Sequence, residues 1–524
     1  MKILVSDKLS SEGLEILEKS GFTVDVKTGL SEDELVDIIG DYVALVIRSG
    51  TQVTKRVIDA ADKLKIIGRA GVGVDNVDIE AATKKGIIVS NTPQGNTLSA
   101  AEHTCAMMLA MARNIPQACE SLRELKWERS KFTGVELNGK TLGIIGLGRI
   151  GAEVGKRAQS FNMKLIGFDP FVTEERAKSI GVELKTVEEI AREADFITVH
   201  TPLTKDTENI IDEPEFAIMK KTARIINCAR GGIINENALA KAVSTGQIAG
   251  AAIDVFCDEP PFDSPLLKDE RIIVTPHLGA STVEAQVNVA IDIANEIVSV
   301  LNGGDAKSAV NMPSIRPETA EIITPYLKLA EITGKIAGTL FGSSYNKIEI
   351  SYRGEIATKD TRTVTLAALK GVLQTALGPR VNYVNAPGLA KDRGVLISEK
   401  KTETSEEYTS VFSIKLVGKS GSKEIRGTVI EDEIKIIEVD GENIDVYPSE
   451  NMVFAYHINQ PNVIGPVCLI LGKNGINISG MQVGRVPVGK ETIMAISIDS
   501  EVSESVLKEL TVVDGVTSAK LVHL

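Results

Sequence analysis

Several things are scarce in this chain, and each scarcity removes a class of protein. The five cysteines, at 105, 119, 228, 257 and 468, are odd in number and none belongs to a CxxC pair. A disulfide scaffold and a cysteine-built zinc cluster are thereby excluded, no metal is expected, and the thiols read as the reduced ones of a cytoplasmic protein. Long hydrophobic runs are missing too. The longest apolar stretch, around Cys105 to Ala112, falls far short of the ~18 residues needed to cross a bilayer, so no membrane association is expected. The start, Met1-Lys2-Ile3-Leu4-Val5-Ser6-Asp7, breaks its apolar run too early for a signal peptide. Basic charge is in deficit: 58 Lys plus Arg stand against 71 Asp plus Glu, a formal charge of −13. A surface of that sign repels phosphate backbones and argues against nucleic acid as a partner. It still allows a local basic pocket for a small anion.

The 524 residues are 43% apolar and 25% charged, enough to bury several cores and ordinary for a globular chain. At roughly 150 residues per domain, three or four domains are expected. Short apolar runs alternate with helical patterns over the first hundred residues, with strands expected at 3–5, 43–47, 66–68 and 87–90. The same rhythm returns at 141–145, 164–168, 196–200, 224–227, 250–255 and 272–274. It predicts βαβ units and parallel sheets. A helical pattern from Leu98 to Arg113, with a small and apolar face, separates the two blocks. After Asn302-Gly303-Gly304-Asp305 the pattern becomes β-rich, with strands near 347–352 and 409–417 and one helix near 365–377. From Met452 the chain reads strand, helix, strand, strand, helix, strand.

The strand at 141–145 runs directly into Gly146-Leu147-Gly148-Arg149-Ile150-Gly151, and the next strand ends at Asp169, 18 residues after Gly151. Gly146 permits the tight turn, Gly148 lets backbone approach a pyrophosphate, and Gly151 lets helix pack on strand. The helix N-terminus then aims amide donors and partial positive charge at the phosphates. Asp169 suits both ribose hydroxyls, which favours NAD over NADP. Arg149 would tolerate a 2′-phosphate and keeps NADP in view.

Chemistry on a doubly wound sheet collects at the carboxyl ends of its strands. Arg230, Glu259 and His277 each follow such an end. Singly, each has a bland reading: a surface arginine, a turn acid, a satisfied histidine. Together they suit one task. The arginine fork holds the carboxylate and nascent ketone of a 2-hydroxy acid, the imidazole takes the hydroxyl proton, and the carboxylate fixes the imidazole tautomer. His200 ends a strand and is expected to line the cofactor crevice without doing chemistry. His103 reads as an interface residue, and His523 as a bystander.

These segments resemble the D-isomer-specific 2-hydroxyacid dehydrogenases: Gly146–Gly151 with Asp169, Asn227–Gly232, Asp254–Pro260 and Pro276–Ala280. Gly68–Asp78, Trp127-Glu128-Arg129 and the C-terminal length are similar to the members that oxidise D-3-phosphoglycerate. The resemblance implies Arg230, Glu259 and His277 as catalytic residues. Gly146, Gly148, Gly151, Arg149, Ile150, Asp169, Thr201, Cys228, Ala229, Arg230, Asp254 and His277, Leu278, Gly279, Ala280 would contact NAD. Arg48 and Arg69 would face the phosphate of 3-phosphoglycerate, and Arg129 with Lys131 match a basic pair that some members lend to a neighbouring subunit. Val72 departs from the threonine of some relatives. The phosphate reading also has a physical basis, because a dianion in an acidic protein needs local forked cations.

The resemblance implies two Rossmann-like doubly wound α/β domains, a substrate domain over 1–97 and 284–306 and an NAD domain over 98–283. An α+β intervening domain over 307–449 and a ferredoxin-like ACT domain over 450–524 would follow. By the same resemblance His457, Asn459 and Asn477 fall where L-serine is held as an effector between paired modules. Asn462 departs from the usual glycine there and would crowd such a ligand. A homo-oligomer, a tetramer, is expected.

Overall fold

The computed structural model describes residues 1–315, 317–342, 345–405 and 407–524. The first sheet holds β1 (Lys2–Val5), β2 (Thr23–Val26), β3 (Ala44–Ile47), β4 (Ile66–Arg69) and β5 (Ile88–Ser90). All its pairings are parallel, in the order β2-β1-β3-β4-β5. Ile3, Leu4 and Val5 and the whole of β3 are buried, as strands covered on both faces must be. β2, Thr-Val-Asp-Val at the edge, is partly exposed and carries no apolar run, which is why the sequence pattern passes over it.

The second sheet holds β6 (Thr141–Ile145), β7 (Lys164–Phe168), β8 (Glu183–Leu184), β9 (Phe196–Val199), β10 (Arg224–Asn227), β11 (Gly250–Ile253) and β12 (Ile272–Val274). Its order is β12-β11-β10-β9-β6-β7-β8, again with parallel pairings. The order reverses between β6 and β9, so a crevice opens at their carboxyl ends. The helix Thr97–Ala112 buries Ala101, Cys105, Met108 and Met111 in the core of this sheet. The later helix Val283–Leu301 returns to the first sheet, packing Val289, Ala290, Ile293 and Ile297 with Ile3 and Val5. The chain therefore crosses between the two sheets twice, at the two places where a cleft needs walls.

The third sheet is mixed: β13 (Tyr345–Gly354), β14 (Leu396–Thr402), β15 (Ser410–Gly418), β16 (Gly421–Ile430), β17 (Glu433–Val439) and β18 (Glu442–Val446), in the order β14-β13-β15-β16-β17-β18. Only β13 and β14 pair in parallel. The helices Ala320–Phe341 and Arg362–Leu377 pack against each other and share a core with this sheet. The expectation of one helix between 345 and 450 is corrected by a further short one, Ala386–Asp392, whose two-turn length and internal Pro387 and Gly388 leave little periodic signal.

The last sheet, β19 (Asn451–Ile458), β20 (Ile478–Val483), β21 (Glu491–Ile498) and β22 (Val516–His523), is antiparallel in the order β20-β21-β19-β22. Its helices Ile464–Lys473 and Glu504–Val512 cover one face. Met452, Phe454, Ile493, Ala495 and Val522 project from the other face into the core of the third sheet. Lys520 Nζ donates to the carbonyls of Thr339 and Leu340 at the end of the helix Ala320–Phe341. One apolar core thus runs across Pro448. No helix among the described residues is long and apolar enough to cross a membrane.

Candidate active site

The turn after β6 is built as the glycine pattern requires. Gly146 has φ 95, a backbone state open to glycine at little cost, and a Cβ there would stand 2.6 Å from the His200 carbonyl oxygen. A Cβ on Gly151 would stand 2.1 Å from the Gly146 carbonyl oxygen. At Gly148, which precedes the helix Arg149–Ser160, a Cβ would meet no protein atom within 4 Å. The third absence of a side chain therefore leaves space beside the helix N-terminus, where a pyrophosphate fits. Asp169 completes the crevice: its Oδ2 accepts from Leu147 N–H and its Oδ1 from Phe171 N–H, both at 2.9 Å. Thr201, across the switch point, has a buried Oγ1 without a hydrogen-bond partner among the described residues. An orphaned hydroxyl, an open glycine and a carboxylate at the strand end fit a dinucleotide.

At the same edge of the sheet two of the three expected side chains meet. His277 Nδ1 lies 2.9 Å from Glu259 Oε2 and 3.1 Å from Oε1. Glu259 Oε1 also accepts from Phe256 N–H at 3.2 Å, which fixes the carboxylate. His277 Nε2 makes no hydrogen bond among the described residues and is free for a substrate proton. The His277 backbone sits at φ 54, a left-handed state uncommon for histidine. It is held by two bonds from its own N–H, to the Asp254 carbonyl at 2.8 Å and the Thr275 carbonyl at 3.0 Å. Asp254 Oδ1 and Oδ2 accept from Leu278 N–H at 2.7 Å and Gly279 N–H at 2.8 Å.

Arg230 reaches across the cleft. Its Nε donates to Asp75 Oδ2 at 3.1 Å, and a Cβ on Gly73 would stand 2.0 Å from its Nη2. Glycine at 73 is thus a condition of the guanidinium's position. Arg69, the last residue of β4, donates from Nε to Asn76 Oδ1 at 2.9 Å, and Asn76 in turn donates to the Arg48 carbonyl at 2.7 Å. Burial pushes the Arg69 guanidinium down to about 10, helped by the charges of Arg230 and Arg48 and opposed by Asp75 and Asp7. Arg230 and Arg48 therefore both lie near enough to act on the Arg69 charge. Asp75 and Asn76, which sequence reasoning quoted without assigning a task, hold two of them in place; the signal was a Gly-Val-Gly-Val-Asp-Asn run after a strand.

Other expected residues stand elsewhere. Lys131, on the short turn Arg129–Phe132, lines a cavity of about 140 Å³ with Arg224, Gly250 and Arg271, at the amino ends of β10 to β12. That is the sheet edge opposite His277, so one chain does not bring Arg129 and Lys131 to its own cleft. Cys228 is buried, and burial with the nearby Asp254 charge pushes its thiol up to about 12. His200 is pushed by burial down to about 4, with Nε2 3.0 Å from Thr198 Oγ1, so it stays a neutral wall. His103 has its Nε2 3.2 Å from Asp254 Oδ1.

In the last sheet His457 is buried, its Nδ1 2.9 Å from the Ile458 carbonyl and its Nε2 without a partner among the described residues. Asn459 donates to the Val486 carbonyl at 2.7 Å. Asn477 bonds Asp499 at the far end of the sheet. His457 pairs with Thr492, so the two ends lie about 23 Å apart at 3.3 Å per residue along β21. Asn462 has φ 63, a conformation that glycine would take more readily.

Comparison with known proteins gives the family context. Residues 105–279 match the model of the D-isomer specific 2-hydroxyacid dehydrogenase NAD binding domain, and residues 322–440 match that of the D-3-phosphoglycerate dehydrogenase intervening domain. The chain is 47% identical to D-3-phosphoglycerate dehydrogenase of Synechocystis over all of its own length and 95% of that protein's. It is 45% identical to the Archaeoglobus fulgidus enzyme of the same name over the full length of both. Among solved structures, D-lactate dehydrogenase from Aquifex aeolicus, complexed with NAD and lactic acid, matches 60% of this chain and 100% of that one, with a TM-score of 0.55 at 25% identity.

Proposed function

The chain belongs to the D-3-phosphoglycerate dehydrogenases, and from that premise we infer that it oxidises C2 of D-3-phosphoglycerate to 3-phosphohydroxypyruvate, the step that opens serine synthesis. The observation that carries the mechanism is the His277–Glu259 pair at the carboxyl edge of a dinucleotide sheet, with Arg230 in the loop after the neighbouring β10. NAD, held on the loop 146–151 and by Asp169, supplies the hydride acceptor. His277 Nε2 takes the hydroxyl proton as the C2 hydride leaves, a step for which a positioned base contributes about 10²–10⁴-fold. Glu259 accepts a hydrogen bond from Nδ1–H, fixes the tautomer with Nε2 bare, and stabilises the imidazolium that forms. Arg230 forks onto the carboxylate and the developing ketone oxygen. Arg48 and Arg69 receive the phosphate. In the reverse direction the same imidazolium returns its proton to the ketone.

The enzyme is proposed to be a cytoplasmic homotetramer. Lys131 at the edge away from its own cleft, and Trp127 and Leu125 exposed beside it at 77% and 93%, support a neighbouring subunit there. The four-stranded βαββαβ unit at the end is read as an ACT domain. L-serine would bind between two such units, His457 and Asn459 from one and Asn477 from the other, a reading supported by the unpartnered His457 Nε2 and by the separation of these residues within one chain. The test is NADH consumption by the purified chain with 3-phosphohydroxypyruvate, with glyoxylate as the unphosphorylated control and L-serine added in a second series. Rapid consumption that serine suppresses is expected. Consumption that ignores serine would discard the effector site, and turnover of glyoxylate alone would overturn the phosphate site.

A further inference from the structure

His103 lies on the helix Thr97–Ala112, 174 residues from His277 in sequence, yet its imidazole joins the polar cluster that anchors the His277 loop. Its Nε2 is 3.2 Å from Asp254 Oδ1 and 3.3 Å from Thr275 Oγ1. The Thr275 hydroxyl donates to the same Oδ1 at 2.5 Å. Asp254 is fully buried, and no lysine or arginine pairs with it among the described residues. Burial alone would push its carboxyl up, but the hydrogen bonds of His103, Thr275 and Leu278 N–H outweigh it and leave the group below the usual carboxylate range. His103, Cys228 and Asp254 offer ligand atoms within 4.8 Å of one another. The Asp254 oxygens are already taken by two N–H groups and a hydroxyl, and the Cys228 thiol is neutral, so the cluster is a hydrogen-bond anchor.

What the anchor holds is the reacting base. The Asp254 carbonyl and its two carboxylate oxygens accept from three consecutive N–H groups, those of His277, Leu278 and Gly279. These bonds keep His277 at φ 54 and aim its ring at Glu259. We propose that His103 is a positioning residue for the dehydrogenation: through the Asp254 carboxylate it fixes the loop that presents the His277 imidazole to the substrate hydroxyl. The proposal rests on His277 being the acid–base group. His103 itself touches neither Glu259 nor His277, so its effect must pass through Asp254.

The test compares His103→Gln, whose amide reaches Asp254, with His103→Asn, which keeps polarity but is too short. Both are made in the full chain, beside the wild type and His277→Asn. Each is measured for kcat and KM with 3-phosphohydroxypyruvate, NADH affinity by fluorescence, and the isotope effect with 4-deuterated NADH. His103→Asn should lose about tenfold to a hundredfold in kcat, the range set by one lost hydrogen bond to a buried charge, with NADH affinity and KM within about threefold of wild type. Its isotope effect should rise as chemistry becomes rate-limiting, and His103→Gln should recover most of kcat. Overturning results are kcat within about twofold for His103→Asn, equal losses for Gln and Asn, or a loss confined to NADH affinity. Wild-type turnover with an inactive His277→Asn isolates those outcomes from the reaction itself. A wild type without turnover, or an active His277→Asn, would remove the parent reading and this inference with it.

Discussion

Replacing Asp169 by alanine would separate the bond-holding that its carboxylate shows from the ribose binding proposed for it. An ionised carboxyl has about four acceptor positions. Leu147 N–H and Phe171 N–H use two of them, at 2.9 Å each. Two remain, one for each hydroxyl of a ribose. A hydrogen bond to a charged group contributes about 1.5–3 kcal/mol net. Two of them lost, with the hydroxyls partly compensated by water, give about 2–3.5 kcal/mol, or roughly 30- to 300-fold weaker NADH binding. Phe171 is exposed and its freed N–H can take water, and Leu147, itself buried, adjoins the exposed Gly148, so the fold should tolerate the change. Asp169→Asn keeps one acceptor and loses the charge, and should fall about tenfold.

The assay is NADH affinity by fluorescence, set beside the KM for 3-phosphohydroxypyruvate at saturating NADH, which should stay within about threefold because the substrate arginines lie on other strands. NADPH should gain relative to NADH, since the carboxylate that repels a 2′-phosphate is gone. A change in NADH affinity below about threefold would refute the reasoning and leave Asp169 as a tie for the glycine loop alone.

Three further outcomes are expected. Arg69→Gln should raise the KM for 3-phosphohydroxypyruvate about 10- to 100-fold while leaving kcat/KM for glyoxylate nearly unchanged, because it removes a phosphate contact and relieves repulsion on Arg230; equal losses on both substrates would contradict this. Phe454→Ala, at a fully buried position of the core that spans Pro448, should cost about 3–5 kcal/mol. Calorimetry should then show one transition of the third and fourth sheets lowered by about 10 °C, whereas a separate early transition of the last sheet would disprove the shared core. Asp195 accepts from Thr141 N–H and from Lys220 Nζ, which outweigh the upward push of burial and lower its carboxyl below the usual value. A depressed folded value means stability that is complete above the unfolded value and lost as pH falls through the folded one. The urea-midpoint gap between wild type and Asp195→Asn should be flat from pH 8 to 5 and close below about pH 4; closure already between pH 7 and 5 would refute the assignment.

Most of the two parallel sheets was legible because buried parallel strands are continuous apolar runs. The edges β2 and β8 escaped, being partly exposed and short. Arg230, Glu259 and His277 could be set at one sheet edge from strand ends alone, since strand direction in a parallel sheet fixes which loops meet. What holds those side chains was not legible. Asp75 meets Arg230 over a separation of 155 residues, and His103 meets Asp254 across a helix–sheet contact. No local pattern encodes such pairs. The core across Pro448 was hidden for a related reason: Met452 and Phe454 alternate with Val453 and Ala455, and all four are buried, so the alternation that would mark one wet face is absent.

The charges of the cleft carry the argument for a phosphorylated substrate one step further. Arg48, Arg69 and Arg230 crowd one wall, and the nearby Asp75 and Asp7 neutralise them only in part. Burial first, and the charges of Arg230 and Arg48 after it, push Arg69 down to about 10, so an anion beside it would offset both. On the proposed roles, a 2-keto acid with one carboxylate would answer Arg230 alone. A phosphorylated one adds close to two further negative charges near the first strands, where Arg48 and Arg69 stand. The binding energy released there acts at a distance from the reacting carbon, where it can serve to orient C2 against His277 and the nicotinamide. On the proposed roles, selectivity for phosphate would lie in the first sheet and chemistry in the second, with the cleft between them joining the two.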